Sequence, residues 1–138
     1  MSSFNKNIIY IKALIVALCI DLIGRFFMVY AFSIFALEFG FLEGKGIVSI
    51  FKSIFIIPAI MGTIISMYSG YICQKVSNSS GYHIIFLLAL LSFTFELFIP
   101  IGYSTKTIGT EIVTGLFNIP VYLFGAWIYL RWGKQKPS

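Results

Sequence analysis

Asp21 and Arg25 stand four residues apart in an otherwise apolar run, with the acid on the N-terminal side. A helix brings a carboxylate and a guanidinium together at that spacing and in that order. The expected role is a structural ion pair that neutralises itself and fixes how its helix docks. Lys52, Glu96 and Glu111 are charges in three further apolar runs, and Asn118 is a polar residue in the last of them. Charge in an apolar segment is expensive, so each is a candidate site residue with a partner to be found. Carboxylates facing an ammonium group can hold a polar ligand, and a desolvated carboxylate can exchange a proton for a cation. Catalysis has less support: the single His83 is far in sequence from the acids, and no Cys–His arrangement or Gly-rich phosphate loop exists. The balance is against an enzyme. Cys19 and Cys73 are isolated in apolar sequence and read as packing residues. Neither a metal nor a cofactor is implied.

The elements that must position these residues are helices. Of the 138 residues, 59% are apolar and 11% charged, whereas a soluble domain carries about 25% charge. Four apolar stretches cover about 12–37, 47–72, 82–101 and 108–130, and each reaches the ~20 residues that a helix needs to cross a bilayer. Short turn-like segments, Gly40 to Gly46, Ser77 to Gly81 and Gly102 to Lys106, separate them. The expectation is an all-α fold: one domain over 1–138, a four-helix transmembrane bundle with antiparallel neighbours. Lys6, Lys12, Lys75, Arg131, Lys134 and Lys136 fall on the side that carries both termini, against Lys45 and Lys106 on the other. Basic residues favour the cytoplasmic side, which predicts both termini in the cytoplasm. Trp127 and Trp132 fit an interfacial belt there. The net charge of +5 is scattered between apolar runs rather than gathered in a patch, which argues against nucleic acid as a partner. The partner is the lipid bilayer.

Helix rise then sets depth. Lys52 lies about 10 Å inward of Lys45, and Glu96 about 9 Å short of Gly102. With Glu111 near the start of the last helix, all three belong to the outer half of the bilayer. Gly62, Ser66 and Gly70 recur every four residues in the second helix, a small-residue stripe suited to close helix packing. Glu111, Thr114, Gly115, Asn118, Tyr122 and Gly125 form one polar, small face of the fourth. Such a face points into a bundle, as a packed polar core or as a ligand cavity, and packing is the commoner cause.

From the second helix onward, the order of features resembles the VanZ-like family of small bacterial membrane proteins. The second helix reads Lys52-Ser-Ile-Phe-Ile-Ile-Pro58 and then Gly62; the third reads Ser92-Phe-Thr-Phe-Glu96. The last reads Glu111-Ile-Val-Thr-Gly-Leu-Phe-Asn118, with Gly125 seven residues on. Lys52 or Ser53 stands where the family's Asn is usual, Ile99 where a Gln is common, and Thr114 where a second Asp is common. The resemblance implies a multi-pass protein of the bacterial cytoplasmic membrane that contributes to antibiotic resistance of the lipoglycopeptide (teicoplanin) type. Lys52, Glu96, Glu111 and Asn118 would line an outward-facing pocket for an amphipathic or lipid-anchored small molecule. Two other readings compete. One is a small proton-coupled multidrug transporter, with Glu96 as the exchanging acid. The other is a membrane immunity or assembly protein that binds a second membrane protein, or another copy of itself, through the stripe around Gly62.

Overall fold

Long runs of Ile, Leu, Ala and Phe without a central proline make α1 continuous from Ser3 to Glu38, 36 residues and about 54 Å at the α-helical rise. The computed structural model describes residues 3–38, 48–98 and 108–133, with side chains over most of 4–34, 59–95 and 115–133. Three more helices follow: α2 (Val48–Ser77), α3 (His83–Phe98) and α4 (Ile108–Ile128). A π-helical turn over Tyr129–Gly133 continues α4. The described residues are helical, with no strand among them. Phe4–Met28 is the one described stretch both long and apolar enough to cross a bilayer; His83–Phe95 is apolar and shorter.

The α2–α3 connection shows how local chemistry ends a helix. Asn78 takes a positive φ of 46°, and its N–H donates to the Gln74 carbonyl at 3.1 Å. Asparagine tolerates this left-handed C-terminal cap better than most residues. The wholly buried Gln74 then donates through Nε2 to the carbonyls of Ser79 and Gly81. A five-residue turn therefore suffices to reverse the chain.

Pairs of contacting residues give the helix directions. Ala17 meets Ser69 and Asp21 meets Ser66, so α1 and α2 run antiparallel. Tyr10 meets His83 and Asp21 meets Ser92, so α1 and α3 run parallel. The helices pack in the cyclic order α1, α2, α4, α3, which leaves α1 and α4 on a diagonal. Lys6, Lys75 and Arg131 consequently gather at one end of the set.

Small residues allow the closest approach, between α2 and α4. A Cβ on Gly70 would strike the backbone of Tyr122, and one on Gly125 would strike the Met67 carbonyl. Gly62 behaves differently from its two partners in the stripe: a Cβ there would meet nothing within 4 Å among the described residues. The close-packing glycines are thus Gly70 and Gly125, facing each other across one interface. Gly70→Ala and Gly125→Ala should each destabilise the fold by about 1–3 kcal/mol through overpacking, while Gly62→Ala should be neutral or stabilising. Unfolding followed by far-UV circular dichroism checks the order, and equal stability of Gly62→Ala and Gly125→Ala would refute the close approach.

Candidate functional site

Asp21 sits on the inward face of α1, one turn beyond Ala17, and is wholly buried. A carboxylate in that position needs donors for its oxygens or its desolvation goes uncompensated. Arg25, one turn further on, supplies the first: its Nε donates to Asp21 Oδ1 at 3.1 Å, and its side chain is 17% exposed. The other three helices supply one donor each. Ser66 of α2 donates to Oδ1 at 3.0 Å, Ser92 of α3 to Oδ2 at 2.9 Å, and the Tyr122 hydroxyl of α4 to Oδ2 at 2.6 Å.

The network closes on itself. Arg25 Nη2 donates to Ser66 Oγ at 2.8 Å and to the Tyr122 hydroxyl at 3.1 Å. Arg25 therefore reaches the carboxylate directly and also through two hydroxyl relays. The Ser92 and Tyr122 oxygens lie 2.8 Å apart, so these hydroxyls divide their protons between each other and Asp21 Oδ2. An ionised carboxylate has about four lone-pair sites, and four donors from four helices occupy them. Ser69 adds a separate tie from α2 to the Ala17 carbonyl at 2.7 Å.

Charge in this site is balanced and held in place. The carboxylate accepts hydrogen bonds from all four helices, and the guanidinium beside it opposes its charge. His83 is remote, on the first turn of α3, edge-on to Tyr10 with ring centroids 5.8 Å apart. No cluster of three His, Cys, Asp or Glu suited to a metal occurs among the described residues. The arrangement orients the four helices about one carboxylate.

Of the residues proposed for the outward pocket, Asn118 has a described side chain, half-buried one turn before Tyr122. Lys52, Glu96 and Glu111 belong to α2, α3 and α4, but their side chains lie outside the described residues. Along the backbone, Glu96 is one turn beyond Ser92, on the side of the network away from the basic end. Ser92 and Tyr122 are the network members whose role sequence reasoning did not assign. Their signal was available: each is a hydroxyl in an apolar helix, and Tyr122 shares a face with Gly125.

No family model, no curated protein and no solved structure matches this chain.

Asp21→Leu alone should cost about 1–3 kcal/mol, because the buried hydroxyls of Ser66, Ser92 and Tyr122 lose the acceptor they share. Ser92→Ala should cost about 1 kcal/mol, the worth of one hydrogen bond. The double variant Asp21→Leu with Arg25→Leu should be more stable than Asp21→Leu by itself. Additive losses across that cycle in a denaturation series would remove Asp21 from its central place.

Proposed function

We propose that this chain is a multi-pass protein of the bacterial cytoplasmic membrane, crossing it four times with both termini on the cytoplasmic side. One observation carries the reading: large apolar side chains face outward while a set of polar side chains is buried among the helices. Asp21, Ser66, Ser69, Gln74 and Ser92 are buried, while Ile23 is 67% and Phe117 65% exposed. Large apolar side chains cover the outside of every helix, among them Ile15 and Phe27 on α1, Ile64 on α2, Leu90 on α3 and Phe124 on α4. Water would penalise so large an apolar surface, whereas lipid accepts it. The gathering of Lys6, Lys75 and Arg131 at one end supports the orientation. Trp127 and Trp132 at that end fit a membrane interface, with the Arg131 guanidinium 5.2 Å from the Trp127 ring centre.

Single cysteines at Ser3, Ser104 and Ser138, in a background lacking Cys19 and Cys73, test the topology. An impermeant thiol reagent on intact cells should label position 104 alone; labelling at either terminus would overturn the orientation.

Within that frame the proposed activity is non-enzymatic. The protein holds a polar pocket toward the outer leaflet, formed by Lys52, Glu96, Glu111 and Asn118, for an amphipathic or lipid-anchored compound. The VanZ-like order of residues supports a lipoglycopeptide as the compound class. A lipid tail brings such a molecule to the outer leaflet, where depth counting puts Lys52, Glu96 and Glu111. The pairing of Asp21 with Arg25, and its three hydroxyl contacts, weigh against a transporter that uses the acid of the first helix. Expression in a sensitive Gram-positive host should raise tolerance to a lipoglycopeptide more than to vancomycin. Glu96→Gln and Asn118→Ala should abolish the gain at unchanged protein levels. An unshifted tolerance at confirmed expression would exclude the resistance role.

A further inference from the structure

The basic end of the helix set carries a cavity that the outward pocket does not use. It has a volume of about 310 Å³ and lies between the first turns of α1 and the α2–α3 turn. Lys6 and Tyr10 form one wall; Ser77, Asn78, Ser80 and His83 form the other. The volume is at the lower end of the ~300–1,000 Å³ typical of small-ligand sites.

The lining is rich in donors and contains no carboxylate. Lys6 brings a full positive charge, and Ser80, Asn78 and the His83 ring bring N–H or O–H groups. The carbonyls of the turn are directed elsewhere: those of Ser79 and Gly81 accept from the buried Gln74 amide. The Ser77 hydroxyl donates to the Gln74 carbonyl at 3.1 Å, and the left-handed Asn78 is held to the same oxygen through its N–H. Two of the turn's carbonyls are thus engaged by Gln74, away from a lining that carries Lys6, Asn78, Ser80 and His83. The Tyr10 edge against His83 fixes the opposite wall to α1. A preset, positively charged rim of donors is the chemistry that recognises phosphate oxygens.

Depth selects the source of that phosphate. Lys6 is the third residue of the Phe4–Met28 stretch, whose 25 residues make about 37 Å of helix; with ~30 Å in the hydrocarbon core, the ends of this stretch reach the lipid headgroups. Lys12 and Lys75 stand at the same end and add to the field that draws anionic lipid. We propose that this cavity binds the phosphate of an anionic phospholipid in the cytoplasmic leaflet, with Lys6 as the counter-charge and Ser80, Asn78 and His83 as hydrogen-bond donors. The proposal rests on the membrane reading above.

Full-length protein in mild detergent, offered equal phosphatidylglycerol and phosphatidylcholine, is examined by native mass spectrometry for retained lipid. Phosphatidylglycerol should be retained preferentially. Lys6→Gln should lower that preference roughly fivefold, the worth of one lysine at an anionic surface. Ser80→Ala with Asn78→Gly should lower it further, with circular dichroism melts confirming the fold. Lys75→Gln, at the same end but outside the cavity, should lower it less than Lys6→Gln does. Equal retention of the two lipids overturns the proposal, and so does an equal loss in Lys6→Gln and Lys75→Gln. Displacement of the lipid by millimolar inorganic phosphate overturns the lipid source in favour of free phosphate. An alkaline carbonate wash separates this from the parent reading: release of the chain from membranes defeats the membrane assignment, whereas retention with no lipid preference defeats the cavity alone.

Discussion

A carboxylate without water must be met by donors, and in this chain no single helix can provide enough of them. Asp21 has Arg25 beside it on α1, which cancels its charge but leaves most of its lone pairs unfilled. Ser66, Ser92 and Tyr122 complete the shell, and each comes from a different helix. Docking the helices and satisfying the carboxylate are therefore one event. A rotation of any helix by a third of a turn would withdraw its donor and leave a buried acceptor unmet, at a cost of about 1–3 kcal/mol. A buried ion pair is a poor source of net stability. Here it ties the docking of all four helices to one shared shell of donors.

Reaching that arrangement depends on residues with almost no side chain. α1 and α4 lie on a diagonal, so Tyr122 must extend its full length across the interior to touch Asp21. Gly70 and Gly125 let α2 and α4 come close enough to bury the Tyr122 ring completely. Ala13, Ala17, Ala89 and Ala126 keep the rest of the interior thin. In the proposed lipid setting this economy has a physical basis. Lipid tails are as apolar as leucine, so burying leucine between helices gains little, and close backbone approach with interhelical hydrogen bonds takes over. An average bond of that kind contributes about 0.6 kcal/mol. The shared shell around Asp21 matters because its members are satisfied together.

Composition and apolar run lengths were enough to read the helical class, and the positions of α1 to α4 follow the four apolar stretches closely. The largest departure in length is at α1, which begins at Ser3 rather than near residue 12; α2 also continues past the expected Ile72 to Ser77. Polar residues Gln74 and Ser77 look like loop in the sequence. They are helical because Gln74 turns inward and anchors the carbonyls of the turn that follows. The every-fourth-residue stripe likewise identified a small face on α2 but not its contact. Gly62, Ser66 and Gly70 are equivalent by spacing, yet Gly70 meets a backbone, Ser66 meets Asp21, and Gly62 meets no described neighbour.

What the sequence determined alone is what is local. An i, i+4 acid and base share a helix face whatever surrounds them, so the nearness of Asp21 and Arg25 was legible from spacing. Apolar length and the placement of lysines were legible for the same reason, since both are sums over neighbouring residues. The tertiary structure decided which other residues Arg25 and Asp21 would meet. Ser66, Ser92 and Tyr122 are 45, 71 and 101 residues from Asp21, and every helix offers several hydroxyls. Which of them turns inward depends on the rotation of each helix about its own axis. That rotation is set by the fit of glycines and alanines at the interfaces, a property of pairs of helices that no one stretch of sequence contains.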